Sequence, residues 1–196
     1  MNIFWPFLFQ NKCRVRLLIM MLFVAMCIPL LIQQNVDGSN AFNRSWAEFK
    51  VGFNDSRGNY WLGNQLLHEL TTNNLYKLRF DLQAINSTWY YAEYSSFIVL
   101  SEATNYTLRV SGYSGNIGGD AFSWHDGMKF TTYDSDNDLR GFNCAAHNGG
   151  GFWHKGCAKC SVNAIRGSRG DSFRWLNSHT ETGNVLLQTS RMWLTC

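Results

Sequence analysis

The chain has 196 residues, 45% of them apolar and 16% charged, with a formal net charge of +3. That balance excludes a disordered acidic or basic tail and gives no electrostatic case for nucleic acid. Eight Trp and seventeen Gly against two Pro point to short aromatic-rich elements joined by tight turns, and away from a helical bundle.

Lys12, Arg14 and Arg16 precede an apolar run from Leu17 to Ile28, the pattern of a secretory signal. Residues 1–27 are read as a signal peptide or an uncleaved signal anchor, and residues 28–196 as one domain. The apolar stretch Leu17–Ile32 is sixteen residues, short of the roughly 20 that span a bilayer. A membrane partner is expected only if the segment is an anchor. Four acceptor sequons, at Asn43, Asn54, Asn86 and Asn105, agree with export. So does the even set Cys144, Cys157, Cys160 and Cys196.

Ser45-Trp-Ala-Glu48 has the form of a capping box and predicts a helix that stops before Gly52. Asn64 to Leu70 predicts a second short helix, with Asn64 as its N-cap. Tyr76, Leu78, Phe80 and Leu82 alternate with polar residues as in a half-buried strand. Tyr90–Tyr94, Phe97–Leu100 and Tyr106–Val110 repeat the pattern, and the short connections predict an antiparallel sheet. After Val110 the periodicity stops, and a long irregular region needs an organiser.

Asp134-Ser-Asp136-Asn-Asp138 supplies one candidate. Carboxylates at alternate positions of a looped backbone are how hard cations are held; a solvated turn is the plainer reading. Leu139 and Ala145 stand where an EF-hand needs Gly and Glu. Cys144, His147, His154, Cys157 and Cys160 form a second cluster. With thiols reduced it has zinc-site character. In an exported chain the favoured reading is a Cys144–Cys157 disulfide. Cys160 and Cys196 would then pair with each other or with another chain. His68, His125 and His179 are isolated and read as structural. Arg169-Gly-Asp171 has the form of an integrin-binding tripeptide, which a Gly-rich turn produces easily. No nucleophile elbow, zinc-protease or phosphate-loop motif occurs, so the chain is read as not an enzyme.

Taken together these residues resemble the fibrinogen C-terminal domain family, which includes ficolins, tachylectins, angiopoietins and tenascins. The matching runs include Asp37-Gly-Ser-Asn-Ala-Phe-Asn-Arg-Ser-Trp46, Tyr60-Trp-Leu-Gly-Asn64, His125-Asp-Gly-Met-Lys-Phe-Thr-Thr132, Asp134-Ser-Asp-Asn-Asp138, Asn143-Cys-Ala145 and Gly150-Gly-Phe-Trp153. The resemblance implies an α+β fold: a twisted antiparallel sheet, two short flanking helices and an irregular calcium-stabilised C-terminal lobe. It implies that Leu30 to Val36 is a strand, and that the family's N-terminal subdomain is missing, with no stalk to impose an oligomeric state. It implies a Ca2+ ion on the carboxylates of Asp136 and Asp138 and the backbone carbonyls of Arg140 and Phe142, with Asp134 in support. It places the family's second disulfide on Cys144 and Cys157.

A ligand pocket is implied around Trp153, Cys157, Ala158 and Asn148. Ala158 stands where lectin members carry His, Asn148 where an aromatic is common, and Gly156 where Asn is frequent. Weak binding of acetylated sugars is therefore expected. The function implied is a secreted, extracellular, lectin-like recognition domain for a glycan or a cell-surface receptor, of the kind used in innate immunity. The alternatives are a truncated paralogue that binds nothing, or a Cys/His zinc protein.

Overall fold

A computed structural model describes residues 28–72, 76–167, 173–176 and 183–196. The signal-like segment 1–27, His179 and the Arg169-Gly-Asp171 tripeptide lie outside the described residues. Among those described, no helix is long and apolar enough to cross a membrane.

The first strand, β1 (Leu30–Asn35), is followed by α1 (Trp46–Val51), two short strands β2 (Phe53–Asn54) and β3 (Tyr60–Trp61), and α2 (Asn64–Thr71). Three long strands come next: β4 (Lys77–Ala84), β5 (Trp89–Val99) and β6 (Leu108–Gly115). An irregular lobe, holding a 3-10 turn at Ser123–His125 and the short helix α3 (Cys144–Asn148), separates β6 from β7 (Arg174–Leu176) and β8 (Asn184–Thr195). The sheet runs β2-β3-β1-β8-β4-β5-β6, and β7 pairs with β8. Every pairing among the described residues is antiparallel.

Local sequence explains most of these elements. Ser45 accepts the backbone N–H of Glu48 while the Glu48 carboxylate accepts that of Ser45, so the capping box is complete. Gly52 ends the helix at φ 90, with the Leu62 carbonyl 2.5 Å from where a Cβ would stand. Alternation holds through β4, where Leu78, Phe80 and Leu82 are fully buried.

The structure corrects four expectations. The N-cap of α2 is Gly63, not Asn64; Asn64 Oδ1 instead accepts the indole N–H of Trp61 at 3.0 Å. The two strands expected between Tyr90 and Leu100 are one continuous β5. The periodicity does stop at Val110, but the strand itself continues to Gly115, where the backbone of β5 lies too close for a side chain. Finally, the region after Val110 contains the long strand β8. It occupies the centre of the sheet between β1 and β4.

One aromatic cluster fills the space between sheet and lobe. Trp61, Phe97, Phe122, Phe130 and Phe152 all lie within 6.2 Å, centroid to centroid, of Trp153. Trp153 is fully buried, and its indole N–H donates to the Tyr106 carbonyl at 2.8 Å. A polar tie joins the sheet to the lobe. Gln33 Nε2 on β1 reaches the Val162 carbonyl, Asn163 Oδ1 and Ser190 Oγ on β8, all in a buried setting.

Gln33→Met keeps the volume of that side chain but removes its donors. It should destabilise the domain by about 1–3 kcal/mol, the cost of leaving buried acceptors unpaired. The readout is the urea midpoint; an unchanged midpoint would show that Gln33 does not tie the lobe to the sheet.

Candidate functional site

The lobe brings the loop 130–143, helix α3 and the segment 150–160 side by side. Asp134 is exposed, and its Oδ1 accepts the backbone N–H of Trp46 at 2.9 Å and the hydroxyl of Thr132 at 2.7 Å. The start of α1 is thus tied to this loop across the molecule. Asn137 Nδ2 donates to the Phe130 carbonyl at 2.9 Å. Asn143 Nδ2 donates to the Thr132 carbonyl at 2.8 Å, while Asn143 Oδ1 caps α3 by accepting Ala146 N–H. Side-chain amides here replace the ladder bonds that an irregular backbone lacks.

Asp136 Oδ1 accepts Asp138 N–H at 3.3 Å. The Asp138 carboxylate accepts the N–H groups of Arg140 at 2.7 Å and Cys144 at 2.8 Å. No described N–H donates to the carbonyls of Arg140 or Phe142. This donor set is all oxygen, two carboxylates and two carbonyls, which is the chemistry a calcium ion takes. Three carboxylates do not converge, however. Among the described residues no group of three or more His, Cys, Asp or Glu side chains is placed to hold a metal, and Asp134 is turned to Trp46 and Thr132.

Cys144 and Cys157 are joined by a disulfide. That removes the zinc reading, because oxidised sulfur offers no thiolate. Cys160 is a free, fully buried thiol whose pKa burial pushes well up. Cys196 is disulfide-bonded while Cys160 is free, so of the two pairings open to them the one with each other does not form.

The segment after the disulfide rests on a residue that the sequence gives little reason to single out. His125 is fully buried. Its Nδ1 lies 2.7 Å from the Trp153 carbonyl, and its Nε2 lies 3.3 and 3.4 Å from the N–H groups of Lys159 and Cys160. Those partners fix the tautomer: Nδ1–H donates and bare Nε2 accepts. The ring must stay neutral, and burial holds its pKa down at about 3. His154 is also fully buried, between the carbonyls of Cys157 and Gly150, and burial lowers its pKa too.

The four expected pocket residues are not a common lining. Trp153 belongs to the core, and Asn148 is 7% exposed. Only Cys157 and Ala158 are part-exposed. A shallow cleft of about 660 Å³ lies instead over Phe142, Asn143, Ala146 and His147. A more polar cleft of about 420 Å³ is lined by Ser39, Asn43, Arg44, Glu48, Asp55 and Arg57 among others. There Arg44 pairs with Glu48 and Arg57 with Asp37, so its cations are already neutralised. Of the sequons, Asn43, Asn54 and Asn86 are exposed, whereas Asn105 donates its side-chain amide to Asn137.

The imidazole at 125 generates a pH prediction. The unfolded ring takes a proton near its usual 6.5 and the folded ring only near 3. Between these values the unfolded state binds more protons. Stability is therefore full above the upper value and falls as pH drops, by up to about 1.4 kcal/mol per pH unit for this one group. His125→Gln, which keeps a donor and an acceptor but does not titrate, should flatten the urea-midpoint profile between about pH 4 and 6. A profile as steep as that of the wild type would show that His125 does not carry the acid sensitivity.

The comparisons with known proteins agree with this architecture. The family profile for the C-terminal globular domain of the fibrinogen beta and gamma chains matches residues 28–185. Microfibril-associated glycoprotein 4 of Mus musculus is 40% identical over 140 residues, covering 69% of this chain and 54% of that protein. Ficolin-3 of Homo sapiens is 37% identical over 134 residues, covering 68% of this chain and 45% of that protein. The chain thus spans about half the length of these curated relatives. The fibrinogen-like globe domain of human ANGPTL2 superposes with a TM-score of 0.73 at 35% identity, covering 85% of this chain and 79% of that one. A lamprey fibrin D-dimer complexed with the peptide Gly-His-Arg-Pro-amide gives 0.72 at 28% identity, covering 84% and 60%. With the sheet, the lobe and the matched residues all in accord, the chain belongs to the fibrinogen C-terminal domain family.

Proposed function

We propose that this chain is a secreted, non-enzymatic recognition domain. Its ligand-facing surface is the rim of the lobe between Tyr133 and Cys160, steadied by Ca2+, and its partner is an extracellular glycan or a receptor protein. The observation that carries the reading is a set of three exposed apolar side chains on one firmly anchored loop. Tyr133, Leu139 and Phe142 are 48%, 68% and 48% exposed. The backbone beneath them is held by the Cys144–Cys157 disulfide, the Asp138 carboxylate and the bond from Leu139 N–H to the Lys155 carbonyl. Apolar groups presented on a preorganised backbone suit binding, because little entropy is lost on docking. The two buried imidazoles are occupied with backbone groups, which favours binding over general-base chemistry.

Asp136, Asp138 and the carbonyls of Arg140 and Phe142 would hold the ion, which would draw this stretch of loop into one conformation. Export is supported by the disulfide and by the exposed acceptor residues Asn43, Asn54 and Asn86. The lamprey fibrin fragment is named as a complex with a peptide, which favours admitting protein ligands beside glycans.

Calcium should raise the melting temperature of the wild type, with a stabilisation of about 2.7 kcal/mol at a hundredfold excess over Kd. Asp136→Ala should lose most of that gain and melt like the wild type in EDTA. Identical wild-type melts with and without calcium overturn the ion. The recognition reading is tested on arrays of glycans and extracellular receptor domains, each probed with and without EDTA. Binding that EDTA abolishes is expected; no binding on either array would favour an inert paralogue.

A further inference from the structure

Four residues from three separate stretches of the chain meet beside the disulfide. Lys155 Nζ lies 5.4 Å and Lys159 Nζ 5.7 Å from the ring centroid of Trp124. Arg140, whose guanidinium lies 5.9 Å from the centroid of the Phe142 ring, borders the same ground at Gly156: a Cβ built there would stand 3.8 Å from Arg140 Nε and 3.8 Å from the Trp124 ring. Trp124, Lys155 and Lys159 are part-exposed and Arg140 is exposed. Among the described residues none of the three cations forms an ion pair. The nearby carboxylate of Asp138 is committed to the backbone of Arg140 and Cys144.

Ordinary surface lysines sweep a large volume, and fixing them opposes binding. These two are held. Lys155 N–H donates to the Cys157 carbonyl, and its own carbonyl accepts from Leu139. Lys159 N–H donates to His125 Nε2, and its carbonyl accepts from Leu176. Both ammonium groups then rest on one indole, each contact contributing roughly 0.5–1 kcal/mol at a part-exposed site. Burial keeps His125 uncharged against the Trp124 ring, and it lowers the pKa of His154.

We propose that Trp124, Arg140, Lys155 and Lys159 form a binding site for the sulfate or carboxylate group of an acidic glycan. The inference rests on the recognition reading and gives it a ligand class. An anionic substituent would sit in the space that Gly156 leaves open, between the guanidinium and the two ammonium groups, where charge-assisted hydrogen bonds are strong. The indole offers a flat apolar surface to the C–H face of the sugar ring. That pairing of ring and cations favours a saccharide over an acidic peptide.

The test measures binding of the wild-type chain to a heparin-derived hexasaccharide, a hyaluronan-derived hexasaccharide and uncharged chitotetraose by calorimetry. Binding of the charged probes and not of chitotetraose is expected. Heparin and hyaluronan compared at equal salt separate sulfate from carboxylate as the group held. Lys155→Gln/Lys159→Gln should weaken the charged probes about tenfold or more, and each cation removed should lower the slope of log affinity against log salt by about one. Arg140→Gln, an exposed change with little to disturb in the core, repeats the test if the double variant melts early. Gly156→Asn should weaken binding without altering charge, because it fills the gap. Lys77→Gln, outside the patch, should stay within about twofold of wild type. The proposal is overturned if the wild type ignores both charged probes, if Lys77→Gln weakens them as much as the patch variants do, or if polyglutamate competes as well as heparin. Calcium-dependent binding of neutral glycans alone would overturn the acidic ligand and leave the recognition reading standing.

Discussion

The lobe depends on one neutral imidazole. His125 connects the Trp153 carbonyl to two consecutive amides, Lys159 and Cys160. Neither an imidazolium nor an apolar ring could do this. The first would present a proton to two donors, and the second would leave two buried N–H groups and a carbonyl unpaired. The segment after the disulfide takes its position from this ring. Trp153, on the other side of the contact, is the hub of the aromatic cluster. A displacement of His125 would therefore reach both the core and the exposed loop.

The lobe needs such fixed points because most of its backbone belongs to neither helix nor sheet. Its polar groups are met instead by Asn and Asp side chains: Asn137 on Phe130, Asn143 on Thr132 and Tyr133, Asn163 on Gly151 and Asp138 on Arg140 and Cys144. An ion was one expected organiser of this region. The side-chain network does much of that work from residues that read, in sequence, as ordinary turn formers. Calcium would then act on a loop already close to its final shape, so its effect should concentrate on the exposed stretch from Asp136 to Phe142.

Elements with local causes were legible in the sequence. Helix α1 carries its own cap and stop, and β4 alternates cleanly. Strand β8 was not legible. It lies at the centre of the sheet, where Thr189 and Ser190 are buried as well as Leu187, Met192 and Leu194, so polar and apolar residues do not alternate along it. The role of Asn64 was missed for a similar reason: its partner is the Trp61 indole, a tertiary contact. Cys160 reads as half of a pair only until the fold buries it alone. The cationic site was invisible because Trp124, Arg140, Lys155 and Lys159 are spread over three loops, and no spacing rule joins them.

The same fold explains how the residues around the disulfide can change without unseating it. Position 158 is part-exposed, and the backbone of the next two residues is held through His125 by amide groups, which every residue but Pro supplies. Ala in place of His at 158, or Lys at 159, therefore leaves the loop geometry intact while altering the chemistry it shows to solvent. Gly156 extends the argument, since a side chain there would occupy the gap between Arg140 and Trp124. A small residue at 156, a non-donor at 158 and lysines at 155 and 159 all act in one direction. On the proposed reading they would leave no compact polar pocket for a neutral acetyl group and would present the cationic surface to an anion.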